Sequence, residues 1–344
     1  MIREKILVRV TNWVGDLVMA TPALAGIRKS RPDAEITALV RPPLDMLLTG
    51  NPAIDHLMPL DRRGKHSGPG GLVRAVGDIR GKKFDTAILL QNAFEAALLA
   101  FLANIPERIG YATDGRGILL TKGVKVSNET KKKHQVYYYL DLIEKLGLKM
   151  DGHTPKLYLL REEINSAWEL LNKFGIKKGD IIVGINPGAQ YGIAKRWHPE
   201  RFGQAADRLA KKTGAKVIVF GGHSETDTAG VVQASMKEHA VNLAGKTSLR
   251  ELMALIKTCS VFITNDSGPM HIAAALDVPT VAVFGSTDPA ATGPFNKKSV
   301  VVREPVTCSP CFKRTCPYKH YACLERITAA RVFKAAEEMI SRNA

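Results

Sequence analysis

The sequence predicts an α/β protein of two doubly wound, parallel-sheet, Rossmann-like domains facing a cleft. Three observations carry that prediction. Short β-branched apolar runs alternate with helical stretches along all 344 residues, the pattern of parallel strands joined by crossover helices. The texture changes once, around Asp151-Gly152-His153-Thr154-Pro155, between two helical stretches at 137–148 and 162–174. Polar turns rich in small residues follow the apolar runs, where open parallel sheets bind their ligands.

The elements are expected as follows. Strands are predicted at 5–10, 35–40 and 85–90 in the first half, and at 181–185, 216–220, 261–264 and 280–284 in the second. Residues 86–106 are the most membrane-like stretch, but Gln91, Asn92, Glu95 and Asn104 interrupt it. Hydrocarbon penalises such groups, so the stretch reads as strand, loop and amphipathic helix. The domains are expected at 1–160 and 161–325, with 326–344 forming a C-terminal helix able to pack back on the N-terminal domain.

Composition narrows the function. Forty-nine Lys and Arg against 33 Asp and Glu give a net charge of +16, with 45% hydrophobic and 24% charged residues. That is enough apolar material for large cores, and it excludes disorder, collagen and a disulfide scaffold. The first residues, Met1-Ile2-Arg3-Glu4-Lys5 before a short run containing Arg9, do not read as a secretory leader, so a cytoplasmic location is expected. Positive charge favours nucleic acid, an anionic membrane surface or a phosphorylated substrate. The excess is spread over both halves, and no RNP, helix-turn-helix or finger motif occurs, which weakens the nucleic-acid reading. Local clusters at Arg62-Arg63-Gly64-Lys65 and Lys131-Lys132-Lys133-His134 read either as solvated loops or as ligand sites.

The loops after strands carry the chemistry. Asn12-Trp13-Val14-Gly15-Asp16 follows the first strand, with Gly15 allowing a tight turn. Asp16 is either a helix cap or a general base taking a proton from an acceptor hydroxyl. Asn186-Pro187-Gly188-Ala189 leads to Lys195-Arg196, a phosphate cradle or an exposed basic turn. Neither a Walker A loop nor a G-x-G-x-x-G fingerprint after the first strand is present, which removes the support for a dehydrogenase. Glu225, after Gly221-Gly222-His223-Ser224, either caps a helix or accepts from ribose hydroxyls. In Asn265-Asp266-Ser267-Gly268-Pro269-Met270-His271 the backbone of Ser267 and Gly268 opens a helix toward a diphosphate. Asp266 is free to bind sugar hydroxyls there, and His271 is a packing or supporting residue rather than a catalyst. Gly285-Ser286-Thr287-Asp288-Pro289 completes the pocket wall.

Taken in order, Asn12–Met19, Asn186-Pro187-Gly188-Ala189, Lys195-Arg196-Trp197, Asn265–His271 and Gly285–Pro289 resemble the ADP-heptose:lipopolysaccharide heptosyltransferase family. The segment Cys308-Ser309-Pro310-Cys311 to Cys323-Leu324-Glu325-Arg326 is most similar to the second-heptose branch of that family. The resemblance implies a GT-B fold and an inverting transfer of L-glycero-D-manno-heptose from ADP-heptose to the heptosyl-Kdo-lipid A inner core of lipopolysaccharide in a Gram-negative cell. First-heptose transfer, a nucleotide-sugar epimerase or hydrolase, and a basic nucleic-acid-binding module are the alternatives. The resemblance makes Asp16 the base, Lys195 a donor-diphosphate contact, Glu225 the ribose acid and Asp266 the aspartate beside diphosphate and heptose. Arg62, Arg63, Lys65, Arg116 and His134 match acceptor-side positions, facing phosphates and Kdo carboxylates. Tyr191 departs from the family, where some members carry a small hydroxyl residue. No cofactor is required, since ADP-heptose is the donor substrate. A monomer touching the inner face of the anionic inner membrane, without nucleic acid, is expected.

Cys308, Cys311, Cys316 and Cys323 form C-x2-C-x4-C-x6-C, with Cys259 apart. The first pair has zinc-knuckle spacing, so a structural metal is one reading. A packing element is the other, and no metal is expected in catalysis.

Overall fold

A computed structural model describes residues 3–343. The first two residues of the leader reading and the last residue of the 326–344 segment lie outside the described residues. The chain forms two compact units, Met1–Tyr158 and Leu159–Ala344.

In the first unit six strands, β1 (Lys5–Arg9), β2 (Glu35–Val40), β3 (His56–Pro59), β4 (Thr86–Leu89), β5 (Glu107–Tyr111) and β6 (Lys122–Val124), pair in the order β3-β2-β1-β4-β5-β6. Every pairing is parallel. Ile6, Leu7, Val8, Ala38, Leu39, Ala87 and Leu89 are buried almost completely, as expected of strands covered on both faces. Leu7, Leu39 and Leu89 share one core with Ala75, Ile79, Ala97 and Leu99. The membrane-like stretch resolves into β4, a loop and the helix Phe94–Leu102. Among the described residues no helix is long and apolar enough to cross a membrane.

The second unit repeats the plan with β7 (Ile182–Asn186), β8 (Lys216–Val219), β9 (Ala240–Asn242), β10 (Val261–Asn265), β11 (Thr280–Phe284) and β12 (Ser299–Arg303), in the order β12-β11-β10-β7-β8-β9. Read from β7, this is the same winding as in the first unit. Each sheet reverses direction once, between β1 and β4 and between β7 and β10. Ligands of such sheets bind at that reversal, beyond the strands' carboxyl ends.

The C-terminal helix, Ala329–Asn343, corrects an expectation. It belongs to the second unit, where Val332, Ala336, Met339 and Ile340 join the core of Trp197, Phe202, Val183 and Val281. Its apolar stripe is therefore used within that unit.

Candidate active site

In the second unit the site grows from the ends of β7 and β10. Asn265, fully buried at the end of β10, ties the two loops together. Its Oδ1 accepts from the backbone N–H of Trp197 at 3.0 Å, and its Nδ2 donates to the Pro187 carbonyl at 2.6 Å. This fixes the 186–197 segment against β10. Asp266 follows, 4% exposed, with Lys195 Nζ 2.5 Å from Oδ2. Thr287, from the turn after β11, donates its hydroxyl to the same oxygen at 2.5 Å. Three loops thus converge on one carboxylate. Ser267 begins the helix Gly268–Ala275, with Pro269 in its first turn. Its hydroxyl does not cap that helix but lies 3.1 Å from the Thr264 hydroxyl and 3.5 Å from Asn186 Nδ2. The N–H groups and partial positive charge of the helix start lie directly after Asp266 in the chain. His271, inside this helix, is 6% exposed.

Of the two readings made of Glu225, the capping one describes its contacts. Its Oε2 accepts from the Gly222 N–H at 2.8 Å, holding its own turn. Its carboxylate also lies against the loop after β7: a Cβ at residue 188 would come within 1.8 Å of Oε1. Glycine at 188 is what admits the acid there. Arg196 points elsewhere than Lys195, with Nε donating to the Ala189 carbonyl at 2.9 Å. It braces the loop that Lys195 follows.

Tyr191, the departure from the family pattern, lies beneath Lys195, whose Nζ is 4.8 Å from the ring centroid. Arg314 stacks on the same ring at 5.2 Å, and the phenol donates to the Phe312 carbonyl at 2.9 Å. Both are cation–π contacts. The cysteine loop is the strap behind the site. The Arg314 carbonyl accepts from Ala194 N–H at 3.0 Å, and Cys311 and Phe312 N–H donate to the Ser286 carbonyl at 3.0 and 2.7 Å. All five thiols are free, and among the described residues no group of three or more His, Cys, Asp or Glu is placed to hold a metal ion. Burial, then the neighbouring Cys308, Cys311 and Cys316, push the Cys323 thiol up. Burial acts against Cys316 too, but backbone N–H groups of Tyr321, Tyr318, His320 and Lys319 outweigh it and hold that thiol below its usual range.

In the first unit Asp16 lies in the first turn of the helix Val14–Met19, with Trp13 as its N-cap. Gly15 is inside this helix rather than in a tight turn ahead of it. Tyr139, 3% exposed, donates to Asp16 Oδ1 at 3.4 Å. Burial, and then the Asp16 charge, hold the Tyr139 phenol well above its usual range, so it remains a donor.

The acceptor-side cations divide. Arg62 pairs with Glu95 and Lys65 with Asp78 at 2.5 Å. His66 joins Asp78 at 3.0 Å; the Lys65 and His66 hydrogen bonds together hold the Asp78 carboxyl low. Arg63 is exposed. His134 is the N-cap of the helix Gln135–Lys145, its Nδ1 accepting from Val136 N–H at 3.2 Å. Arg116 is 0% exposed. Its Nε donates to Tyr111 O at 2.7 Å, its Nη2 to Asn92 Oδ1 at 3.0 Å and its Nη1 to Gln91 O. Burial lowers its pKa to about 10. It is a brace beneath the loop after β4, not an exposed cation, which the sequence did not reveal.

Two doubly wound parallel sheets, one carrying a carboxylate at its reversal point and the other a lysine–aspartate cradle at a helix start, define a GT-B-type glycosyltransferase. A family model described as "Glycosyltransferase family 9 (heptosyltransferase)" matches residues 73–322. The chain belongs to that family. Lipopolysaccharide heptosyltransferase 2 of Escherichia coli K12 is 31% identical over 308 residues, covering 87% of this chain and 88% of that one. The family 9 glycosyl transferase of Veillonella parvula superposes with a TM-score of 0.89 at 28% identity, over 99% of each chain. The E. coli ADP-heptose lipopolysaccharide heptosyltransferase II gives 0.83 at 27% identity, over 98% of this chain and 99% of that one.

Proposed function

We propose that this glycosyltransferase moves L-glycero-D-manno-heptose from ADP-heptose to the heptosyl-Kdo-lipid A inner core of lipopolysaccharide, adding the second heptose. The observation that carries the reading is the convergence of Lys195, Asp266 and Thr287 at the reversal of the second sheet, beside a helix start. A diphosphate binds there with its negative charge met by Lys195 and by the 267–271 backbone. Glu225 receives the adenosine ribose, and Asp266 the heptose hydroxyls.

In the transfer, Asp16 takes the proton of an acceptor heptose hydroxyl as its oxygen attacks the anomeric carbon opposite ADP. The new glycosidic bond forms as the bond to the diphosphate oxygen breaks, through an oxocarbenium-like transition state. ADP leaves with the bonding pair, and one carboxylate suffices for inversion. Tyr139 orients Asp16. Arg62, Arg63, Lys65 and His134 meet the anionic acceptor, while Arg116 supports the loop beside them. The scheme calls for no cofactor. We further propose a cytoplasmic monomer whose positive charge favours peripheral contact with the anionic inner membrane.

Asp16→Ala is the direct test. Turnover should vanish while ADP-heptose affinity stays nearly intact, and wild-type kcat in this variant would overturn the base assignment. Mass spectrometry of products from an acceptor panel separates second- from first-heptose addition. Donor consumption without acceptor would instead indicate an epimerase or hydrolase.

A further inference from the structure

The carboxyl ends of three adjacent strands, β3, β2 and β1, each lead to an arginine: Arg62, Arg41 and Arg9. Arg9 is 1% exposed. Its guanidinium donates to the Val10 and Leu39 carbonyls at 2.6 and 3.1 Å and to Asn12 Oδ1 at 2.7 Å. None of these partners carries charge, and Arg9 Nε is buried with no partner at all. Arg41 is half-buried, and among the described residues its side chain makes neither a hydrogen bond nor an ion pair. Fully buried arginines are rare unless paired with an acid. Here burial, and then the like charges of Arg41 and Arg62, lower the pKa of Arg9 to about 9.

The next loops along the sheet repeat the pattern of incomplete pairing. Thr11 Oγ1 after β1 and Thr113 Oγ1 after β5 are buried hydroxyls without a partner, both able to donate, while the acceptor oxygens Asp45 Oδ1 after β2 and Gln91 Oε1 after β4 are unpartnered as well. At these strand ends Arg9 and Arg41 carry positive charge that no acid pairs, and the Thr11 and Thr113 hydroxyls have donors that no protein group meets. The missing component is an oxyanion. Guanidinium groups match phosphate and carboxylate oxygens in bidentate geometry, and such an anion would relieve the repulsion between Arg9 and Arg41, Arg62 being paired already with Glu95.

We propose that Arg41, backed by Arg9, forms an oxyanion subsite for a phosphate or carboxylate of the acceptor. This rests on the proposed function, which puts the acceptor on the first unit. Arg41 is the contacting group, since Arg9 is too buried to leave its carbonyls. Arg9 positions the Asn12 loop and adds its field from behind.

The test uses Arg41→Gln in the full chain, read in two ways. The first needs no turnover: melting temperatures of wild type and variant in inorganic phosphate and in chloride at equal ionic strength. Phosphate should raise the wild-type melting temperature more than that of the variant. In chloride the variant should be as stable as wild type or more so, because a like charge has been removed. Equal phosphate shifts, or a destabilised variant in chloride, would overturn the subsite.

The second reading is kinetic. With the intact acceptor, Arg41→Gln should raise the acceptor KM about 10- to 100-fold, the loss of one charged hydrogen-bonding group, and leave the donor KM unchanged. Dephosphorylated and carboxyl-reduced acceptors identify the anion, because the penalty disappears for the acceptor that lacks it. A penalty of equal size on every acceptor refutes the proposal. Failure of the broader functional reading looks different, with wild type transferring to no acceptor while the Arg41-dependent phosphate shift persists.

Discussion

Replacing Asn265 by Ala tests whether the donor site is assembled by one buried amide. The side chain satisfies two backbone groups that have no alternative in a fully buried position: the Trp197 N–H at 3.0 Å and the Pro187 carbonyl at 2.6 Å. Each orphaned group costs about 1–3 kcal/mol, so the second unit should lose at least about 2 kcal/mol. For a unit of this size that lowers the melting temperature by at least about 4–8 °C. The same change frees the loop after β7 from β10, so ADP affinity, measured by titration calorimetry, should fall as well. Scanning calorimetry with and without ADP reads both effects. Ser267→Ala is the control, because its contacts at 3.1 and 3.5 Å are longer and shared, and its cost should stay within about 1 kcal/mol. An Asn265→Ala protein melting within 1 °C of wild type, with ADP affinity unchanged, would refute the argument.

Lys195→Ala leaves the Asp266 carboxylate, 4% exposed, with the Thr287 hydroxyl and without its cation; donor KM should rise about 10- to 100-fold, seen in initial rates over a donor titration. Arg116→Met leaves three acceptor oxygens around this fully buried side chain, on Tyr111, Gln91 and Asn92, without their donor and should cost about 3 kcal/mol or more in urea unfolding, at about 1–3 kcal/mol for each. Glu163 accepts from Arg250 Nε at 2.6 Å, and this contact outweighs burial to lower its pKa. Its stabilisation is therefore present above the unfolded value of about 4.3 and is lost as pH falls through the lower native value. Glu163→Gln should flatten that part of an acid-unfolding curve. Among the thiols, Cys316 should alkylate before Cys323, and buried Cys259 last, in a timed iodoacetamide footprint read by mass spectrometry.

The central strands of both sheets were legible because each is a continuous apolar run buried on two faces. Five others escaped. β3 (His56–Pro59) ends in proline, β6 (Lys122–Val124) and β9 (Ala240–Asn242) are three residues long, and β5 (Glu107–Tyr111) opens on two adjacent charges and carries Gly110. β3, β6 and β9 are edge strands, where the apolar pattern relaxes, whereas β5 is interior and is hidden by its own charges and glycine. β12, Ser299-Val300-Val301-Val302-Arg303, did carry the signal and was missed. At the site, sequence could pair Lys195 with a phosphate but not with Asp266, nor bring Thr287 to that carboxylate from 21 residues away. Arg116 looked like any loop cation. Its burial depends on Tyr111, Gln91 and Asn92 arriving from two other strand ends, information that no local window contains. The pairing of Tyr191 with Arg314 is hidden for the same reason.

Two tryptophans sit in opposite surroundings: Trp13, three positions before Asp16, is 58% exposed, whereas Trp197, two positions after Lys195, is 0% exposed. The chain therefore carries its own optical reporters. Acrylamide should quench Trp13 emission readily and Trp197 emission hardly at all. Because half-buried Trp168 is a third emitter, double Trp→Phe variants that keep only Trp13 or only Trp197 would allow ligand arrival near Asp16 to be followed separately from loosening around Lys195, without any attached dye.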